Sequence, residues 1–444
     1  MRLKCLFLAC ALAASPAAAA DFSGAVKADY DKRLAALFLD FHQHPELSFK
    51  ENRTAKIVAK ELRAAGATVT EGVGGTGVVG IMRNGAGPTV LVRADMDGLP
   101  LEEKSGVPYA SHVRQVGVDG KEMPVMHACG HDVHITSLIG TAHQLAAMKD
   151  RWKGTVIFIG QPAEERVGGA KAMLADGLYT RFPKPDYALG FHVNSGMRTG
   201  TVSASDALMY SSADSVDVVI HGVGAHGAAP HTGKDPVYIG AQLVTALQSI
   251  VSREVGPLSP AVITVGSFHA GTKHNIISDR ADLQITVRAN DEATRHQLLA
   301  AIDRMAKNIA RANGVAEDAL PEVKVSEGTP TTSNTAAVAQ RVKAAWAREL
   351  SSGTVVPFSQ ESMGAEDFTY FVQPELGVPG FYFQVGGTPA AAFEAARAGG
   401  PPIPSHHSPL FRIDPEPSVR LGTEAMTVAV LDLLGPGATA NGGH

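Results

Sequence analysis

Apolar and polar positions follow two different textures along the chain. As far as Asp206, helical periodicity covers 25–42 and 52–65, the second ended by Gly66. Short apolar runs cover 77–82, 89–92, 155–159 and 187–191, and further helices are predicted at 134–148 and 169–174. Continuous apolar strands separated by helices imply a βαβ sheet covered on both faces.

The texture changes near Ala207. Residues 215–220 alternate, 237–255 reads as a helix, and 261–268 and 277–289 read as strands. A long helix covers 292–313 and another strand 322–325. Strand–helix–strand–strand–helix–strand is the ferredoxin-like split pattern. After Thr331 the α/β texture returns, with a helix at 336–350, a strand at 380–385 and a helix near 417–434. The predicted fold is therefore α/β: a large, doubly wound αβα sandwich interrupted by a smaller ferredoxin-like α+β unit. The large domain is expected at 21–206 and 329–435 and the insert at 207–328. No internal repeat is evident.

The ends of the chain read differently. Arg2 and Lys4 precede an apolar run from Leu6 to Leu12, and Ala18-Ala19-Ala20 offers a small-residue cleavage site before Asp21. Residues 1–20 are expected to be a secretory signal peptide, which sends the protein to the periplasm or outside the cell; the run is too short to span a bilayer. Cys10 is poorly placed for lipidation, because an Ala-rich tract follows it. The tail, 436–444, is expected to be disordered.

Of three cysteines, only Cys129 lies beyond the leader, so no internal disulfide is expected. The net charge is −5 and there is no long basic run, which argues against nucleic acid or an anionic membrane as a partner.

Cys129 sits in PVMHACGHDVH, beside His127, His131, Asp132 and His134. Three other polar clusters follow predicted strands. Asp95 and Asp97 come after TVLVRA, Glu164 and Glu165 come after TVIFIG, and His192 ends YALGF. Open parallel sheets bind ligands beyond the carboxyl ends of their strands, so these groups converge on one edge. SHHSP adds His406 and His407.

Thiolate, imidazole and carboxylate together suit Zn²⁺, with Mn²⁺, Co²⁺ or Fe²⁺ as alternatives. Gly130 lets the chain turn between Cys129 and His131 so that both can ligate. Two adjacent glutamates can divide labour, one holding metal and one taking a proton from activated water, and two ions could share that water. Singly, each group has a plainer reading. A Glu-Glu pair is usually solvated, an Asp after a strand is often a turn residue, and a lone His is usually hydrogen-bonded in a core. His134 is expected to face the helix surface or to support a neighbour, and His42 and His44 to serve packing or substrate access.

Together these residues resemble the metal-dependent amidohydrolase and carboxypeptidase family that includes hippurate hydrolase, auxin–amino acid conjugate hydrolases, aminoacylases and glutamate carboxypeptidase. The resemblance runs from DFHQHPELSFKE through RADMDGLP, MHACGHD, PAEE, FHV, AHGAAPH and GAEDF to HHSPLFRID. It implies two divalent metal ions held by Cys129, His131, Glu165, His192 and His407, with Glu164 as general base. It implies that Asp97 orients a ligand and that Asp132 supports the fold. It also implies that the insert is a lid and dimerisation unit. There, His226 would reach an active site and stabilise the oxyanion, and Asn275 and Arg288 would contact the transition state and the substrate carboxylate. Glu366 would line the pocket.

The expected activity is metal-dependent hydrolysis of the amide bond of an N-acyl or N-aroyl amino acid, or of the last bond of a short peptide, by a homodimer. Two alternatives stand beside it: a metal-dependent binding protein that captures peptides without cleaving them, and a cysteine hydrolase using Cys129 with a histidine.

Overall fold

The computed structural model describes residues 16–435. Residues 1–15 and 436–444, which hold most of the expected leader and the whole expected tail, lie outside the described residues. The first helix, Pro16–Asp29, runs through a π-helical turn, Tyr30–Leu34, into a second, Ala35–Gln43. The periodicity at 25–42 had marked the inner part of this longer unit.

The main sheet is built in chain order from β1 (Thr68–Val73), β2 (Gly77–Asn84), β3 (Thr89–Asp95), β4 (Gly154–Gln161) and β5 (Tyr187–Arg198). The chain then leaves for the insert, made of β6 (Ser212–His221), the helix Pro236–Ser249, β7 (Ala261–Ala270), β8 (Arg280–Ala289), the helix Glu292–Ala312 and β9 (Glu322–Thr329). It returns to the main sheet as β10 (Gly380–Thr388).

The main sheet has the order β1-β2-β4-β3-β5-β10, extended by a two-residue strand, Val202–Ser203. Strands β4, β3, β5 and β10 are mutually parallel, and β1, β2 and Val202–Ser203 join the sheet through antiparallel pairs. The parallel strands are apolar along their length because both faces are covered; all nine positions of β10 are buried. Alternation along β10 shows the two faces. Phe381 and Phe383 pack on Trp346 of the helix Ala336–Glu349, whereas Tyr382 packs on Phe368. The first face carries the helices His131–Ala147 and Pro415–Leu434, which pack on each other.

In the insert the strand order is β7-β8-β6-β9 and every pair is antiparallel, which is the ferredoxin-like arrangement expected. Burial alternates strictly along β6, so Val216, Val218 and Ile220 face Leu243, Leu247, Leu298 and Ile302 of the two helices in a core of their own. Chain entry and exit lie side by side, because Tyr210 pairs with Thr332.

Several expected elements change at their ends. The helix expected at 134–148 begins at His131, the strand expected at 322–325 continues to Thr329, and the helix expected at 237–255 turns π-helical after Ser249. The single strand expected at 277–289 is two: Ile276–Ile277 pairs with Ala225–His226, and β8 joins the insert's sheet. Strand β1 had no apolar run to announce it, since it lies at the sheet edge and is mostly exposed.

Candidate metal centre

Register explains why the expected groups meet. Across the parallel strands Asp95 stands opposite Gln161, and His192 opposite Gln384. Asp97 lies just past the end of β3, and the Glu164–Glu165 turn just past the end of β4. Strand β5 does not end at His192, as the sequence had suggested, but runs on to Arg198.

Cys129 and His131 are brought together by Gly130. Its φ of +86° is left-handed, and a Cβ there would overlap Val193. His131 is thereby the first residue of the buried helix His131–Ala147.

The glutamate turn is also unusual. Ala163 and Val167 bracket it with φ of +50° and +51°, a conformation that costs a non-glycine residue on the order of 1 kcal/mol. Three hydrogen bonds hold it: Ala163 N–H donates to Glu51 at 2.8 Å, Glu164 N–H to Asp97 Oδ1 at 3.0 Å and Glu165 N–H to Asp97 Oδ2 at 3.1 Å. Asp97 also accepts from Ser48 at 2.6 Å, and its main-chain oxygen accepts from His131 Nδ1 at 2.8 Å. Asp97 thus orients both glutamates and one histidine.

The five residues expected as ligands converge. Donor atoms of Cys129, His131 and His192 lie within 4.8 Å of one another, as do those of Cys129, Glu165 and His407 and those of His131, Glu164 and Glu165. Cys129 Sγ is 3.3 Å from His192 Nε2, and Glu165 Oε2 is 3.3 Å from His407 Nε2. Cys129, His131 and Glu165 each belong to two of these three groups, so the donors form one continuous cluster. Asp132 is turned away and accepts from His42 at 2.7 Å.

The residues fit a divalent cation. His131 and His192 each commit Nδ1–H to a main-chain carbonyl, of Asp97 and Val193, and so present the lone pair of Nε2. His131 Nε2 and Glu165 Oε1 are buried without a hydrogen-bond partner, 3.8 Å apart. His192 Nε2 faces a sulfur rather than a strong donor. Lone pairs converging in a buried space need a positive charge between them.

Electrostatics point the same way. Burial opposes charge on His131, yet Asp95, Asp97 and Glu165 push its pKa up to about 10. Burial, with Glu165, Glu164 and Asp95, pushes the Cys129 thiol well above its ordinary value. The buried acids thus oppose the thiolate that a cysteine hydrolase would require. Burial, with Glu366, Glu165, Asp367 and Asp95, pushes Glu164 well above the carboxylate range.

His134 does not face the helix surface but is buried and supports its neighbours. Nδ1 donates to Asp95 at 2.6 Å and Nε2 accepts from Val193 N–H at 2.9 Å, while burial pushes its pKa down to about 3. His42 bridges Asp132 and Glu103 and is no ligand.

The expected substrate contacts divide. Glu366 is buried. One oxygen accepts from Arg93 Nη2 at 2.6 Å and the other from Tyr382 at 2.5 Å, so Arg93 holds it behind Glu164. His226 and Asn275 are neighbours on the exposed rim of the insert, where Asn275 O accepts from Gly227 N–H at 2.8 Å. Arg288 lies on β8, half-buried, and its side chain makes no hydrogen bond or ion pair among the described residues. Among those residues none of these three bonds to the metal cluster.

Sequence reasoning missed Glu51, Arg93 and the role of His406. Glu51 has no local signal. Arg93 had one, a charge inside the apolar run TVLVRA, and it is fully buried against Asp95, Glu366 and Asp367.

Residues 91–397 match the family model described as peptidase family M20/M25/M40. The chain is 40% identical over 350 residues to thermostable carboxypeptidase 2 of Saccharolobus solfataricus, covering 78% of this chain and 83% of that protein. It is 39% identical over 336 residues to the hippurate hydrolase of Campylobacter jejuni, covering 75% and 83%. The solved structure of the Bacillus subtilis YXEP protein, described as a dinuclear metal-binding peptidase of the M20 family, superposes with a TM-score of 0.73 at 29% identity, covering 91% of this chain and 98% of that one.

Proposed function

The chain belongs to peptidase family M20/M25/M40 and is a metal-dependent amidohydrolase, and on that premise we propose how its residues divide the work. Cys129, His131, Glu165, His192 and His407 hold two divalent ions, with Zn²⁺, Mn²⁺ or Co²⁺ the best match to a sulfur–nitrogen–oxygen donor set. When bound, the ions supply Lewis acidity, polarising the amide carbonyl and making water a stronger acid.

Glu164 takes a proton from the attacking water and delivers it to the leaving amine. Its buried, acid-rich surroundings raise its proton affinity, which suits a base that must later act as an acid. Asp97 keeps Glu164 and Glu165 at fixed offsets through their main-chain N–H groups. The start of the helix Pro236–Ser249 and the end of the edge strand β7 expose Val237, Tyr238 and Phe268 beside an unpaired strand edge. These exposed side chains and that unpaired edge support a homodimer joined through a lid unit of residues 207–328. In such a dimer His226 and Asn275 would serve the partner's site, stabilising the oxyanion, and Arg288 would take the substrate carboxylate in a bidentate pair.

The substrate is a small N-acyl or N-aroyl amino acid or a short peptide with a free carboxylate. The basic and apolar start of the chain supports export to the periplasm or beyond. No helix among the described residues is long and apolar enough to cross a membrane.

The observation that carries the reading is the convergence of donor atoms from Cys129, His131 and Glu165, with His131 Nε2 and Glu165 Oε1 buried and without a partner. Elemental analysis, with hydrolysis of a panel of N-acyl amino acids before and after chelation, tests it. About two ions per chain, with activity lost on chelation and restored by metal, is the expected result. Binding of the panel without turnover would return the protein to the class of binding proteins.

A further inference from the structure

We infer that His406 is a positioning residue that donates an N–H hydrogen bond to the sulfur of Cys129 and so sets how strongly that sulfur gives electron density to the metal centre. The inference rests on the reading of Cys129 as a ligand.

Sequence alone could not divide the roles of the adjacent histidines beyond preferring His407 as ligand. In the structure they have opposite tasks. His407 has a left-handed φ of +61°, its N–H is tied to Ala128 O at 2.9 Å, and its ring points to Glu165. His406 faces the other way. Its Nε2 lies 3.1 Å from the main-chain nitrogen of Ser195. That nitrogen can only donate, so Nε2 accepts, and the neutral ring carries its proton on Nδ1. Nδ1 is 3.8 Å from Cys129 Sγ, within reach of a hydrogen bond to sulfur. Neither ring nitrogen is then free to ligate.

The ring is held in this pose. Phe411 lies against it with centroids 4.8 Å apart, and His192 meets it edge-on at 5.1 Å. The Cys129 sulfur therefore sits between the lone pair of His192 at 3.3 Å and the N–H of His406. A cation belongs on the first side, and a hydrogen bond that drains charge from the thiolate on the second. Such outer contacts set ligand basicity and commonly change metal affinity by about 10–100-fold.

The Co²⁺-loaded protein tests this, because a thiolate ligand gives a sulfur-to-cobalt charge-transfer band in the near ultraviolet. Removing the donor in His406→Phe leaves a more electron-rich sulfur. The band should move to longer wavelength and Co²⁺ affinity should change by about tenfold or more. His406→Asn, which keeps an N–H donor, should stay near the wild type. An unmoved band in fully loaded His406→Phe overturns the proposal. Loss of cobalt from His406→Phe overturns it, since a more electron-rich sulfur should not hold the metal more weakly. A loaded wild type with no sulfur band is a separate outcome: Cys129 is then no ligand, and the reading of the centre fails with this inference.

Discussion

The carboxylate of Glu51 accepts the main-chain N–H of Ala163 at 2.8 Å across 112 residues of sequence. Glu51 is fully buried, and it also takes Phe49 N–H at 3.0 Å and the hydroxyl of Thr76. It therefore ties down the left-handed residue from which the Glu164–Glu165 turn begins. Glu51→Leu should leave Ala163 N–H unpaired and let that turn relax. We expect kcat to fall by about 10–100-fold, with metal binding weakened through Glu165. Glu51→Gln, which still offers an acceptor, should recover most of it. Steady-state kinetics and metal titration on both variants check this; equal kcat in wild type and Glu51→Leu would count against it.

Arg93 is buried with Asp95, Glu366 and Asp367 around it, at 2.5, 2.6 and 3.0 Å. Removing one member of a buried ionic cluster strands the others in low dielectric. Arg93→Leu should cost about 3–5 kcal/mol of stability, measurable by urea unfolding. A loss under about 1 kcal/mol would show that the acids are neutralised by protons instead.

Much of the fold was legible because the parallel strands are apolar on both faces. TVLVRA, TVIFIG and YALGF could hardly be anything but covered strands, and acids or imidazoles just beyond them marked the site. What escaped acts across space. Glu51 is defined by Ala163, Arg93 by Glu366 and His406 by Ser195, all distant in sequence. The start of the helix at His131 was misjudged for a related reason. His131, Asp132 and His134 are polar, so they read as loop, yet they are buried because the site and His42 satisfy them.

His42 should make stability depend on pH. Burial opposes its charge, but Asp132 at 2.7 Å and Glu103 at 3.1 Å raise its pKa from 6.5 to about 9. The folded value lies above the unfolded one. The contribution is therefore complete below pH 6.5 and is lost as pH rises through about 9. A rise of that size corresponds to at most about 3 kcal/mol. The difference in unfolding free energy between wild type and His42→Gln, followed from pH 6 upward, should shrink across that window. A difference independent of pH would mean that His42 is neutral in the folded chain.

Chelation should destabilise as well as inactivate, since it leaves His131 Nε2 and Glu165 Oε1 buried and unpartnered. With free metal at about a thousand times its dissociation constant, the loss is about 4 kcal/mol. A calorimetric scan with and without chelator measures it. Gly130→Ala should mimic the chelated protein even with metal present, because the left-handed turn between Cys129 and His131 cannot hold a side chain against Val193.

Tyr210 and Thr332 are paired strand neighbours, so the chain departs for the insert and returns at nearly the same point. None of the five proposed ligands, nor Glu164, lies between them. The intervening stretch is in effect a graft on a scaffold that closes without it, and a short turn could span the gap. The metal ligands with their general base, and the lid residues proposed to meet the substrate, are therefore written in separable passages of the sequence. A lineage could exchange the second for a foreign one while the first went on being inherited unchanged.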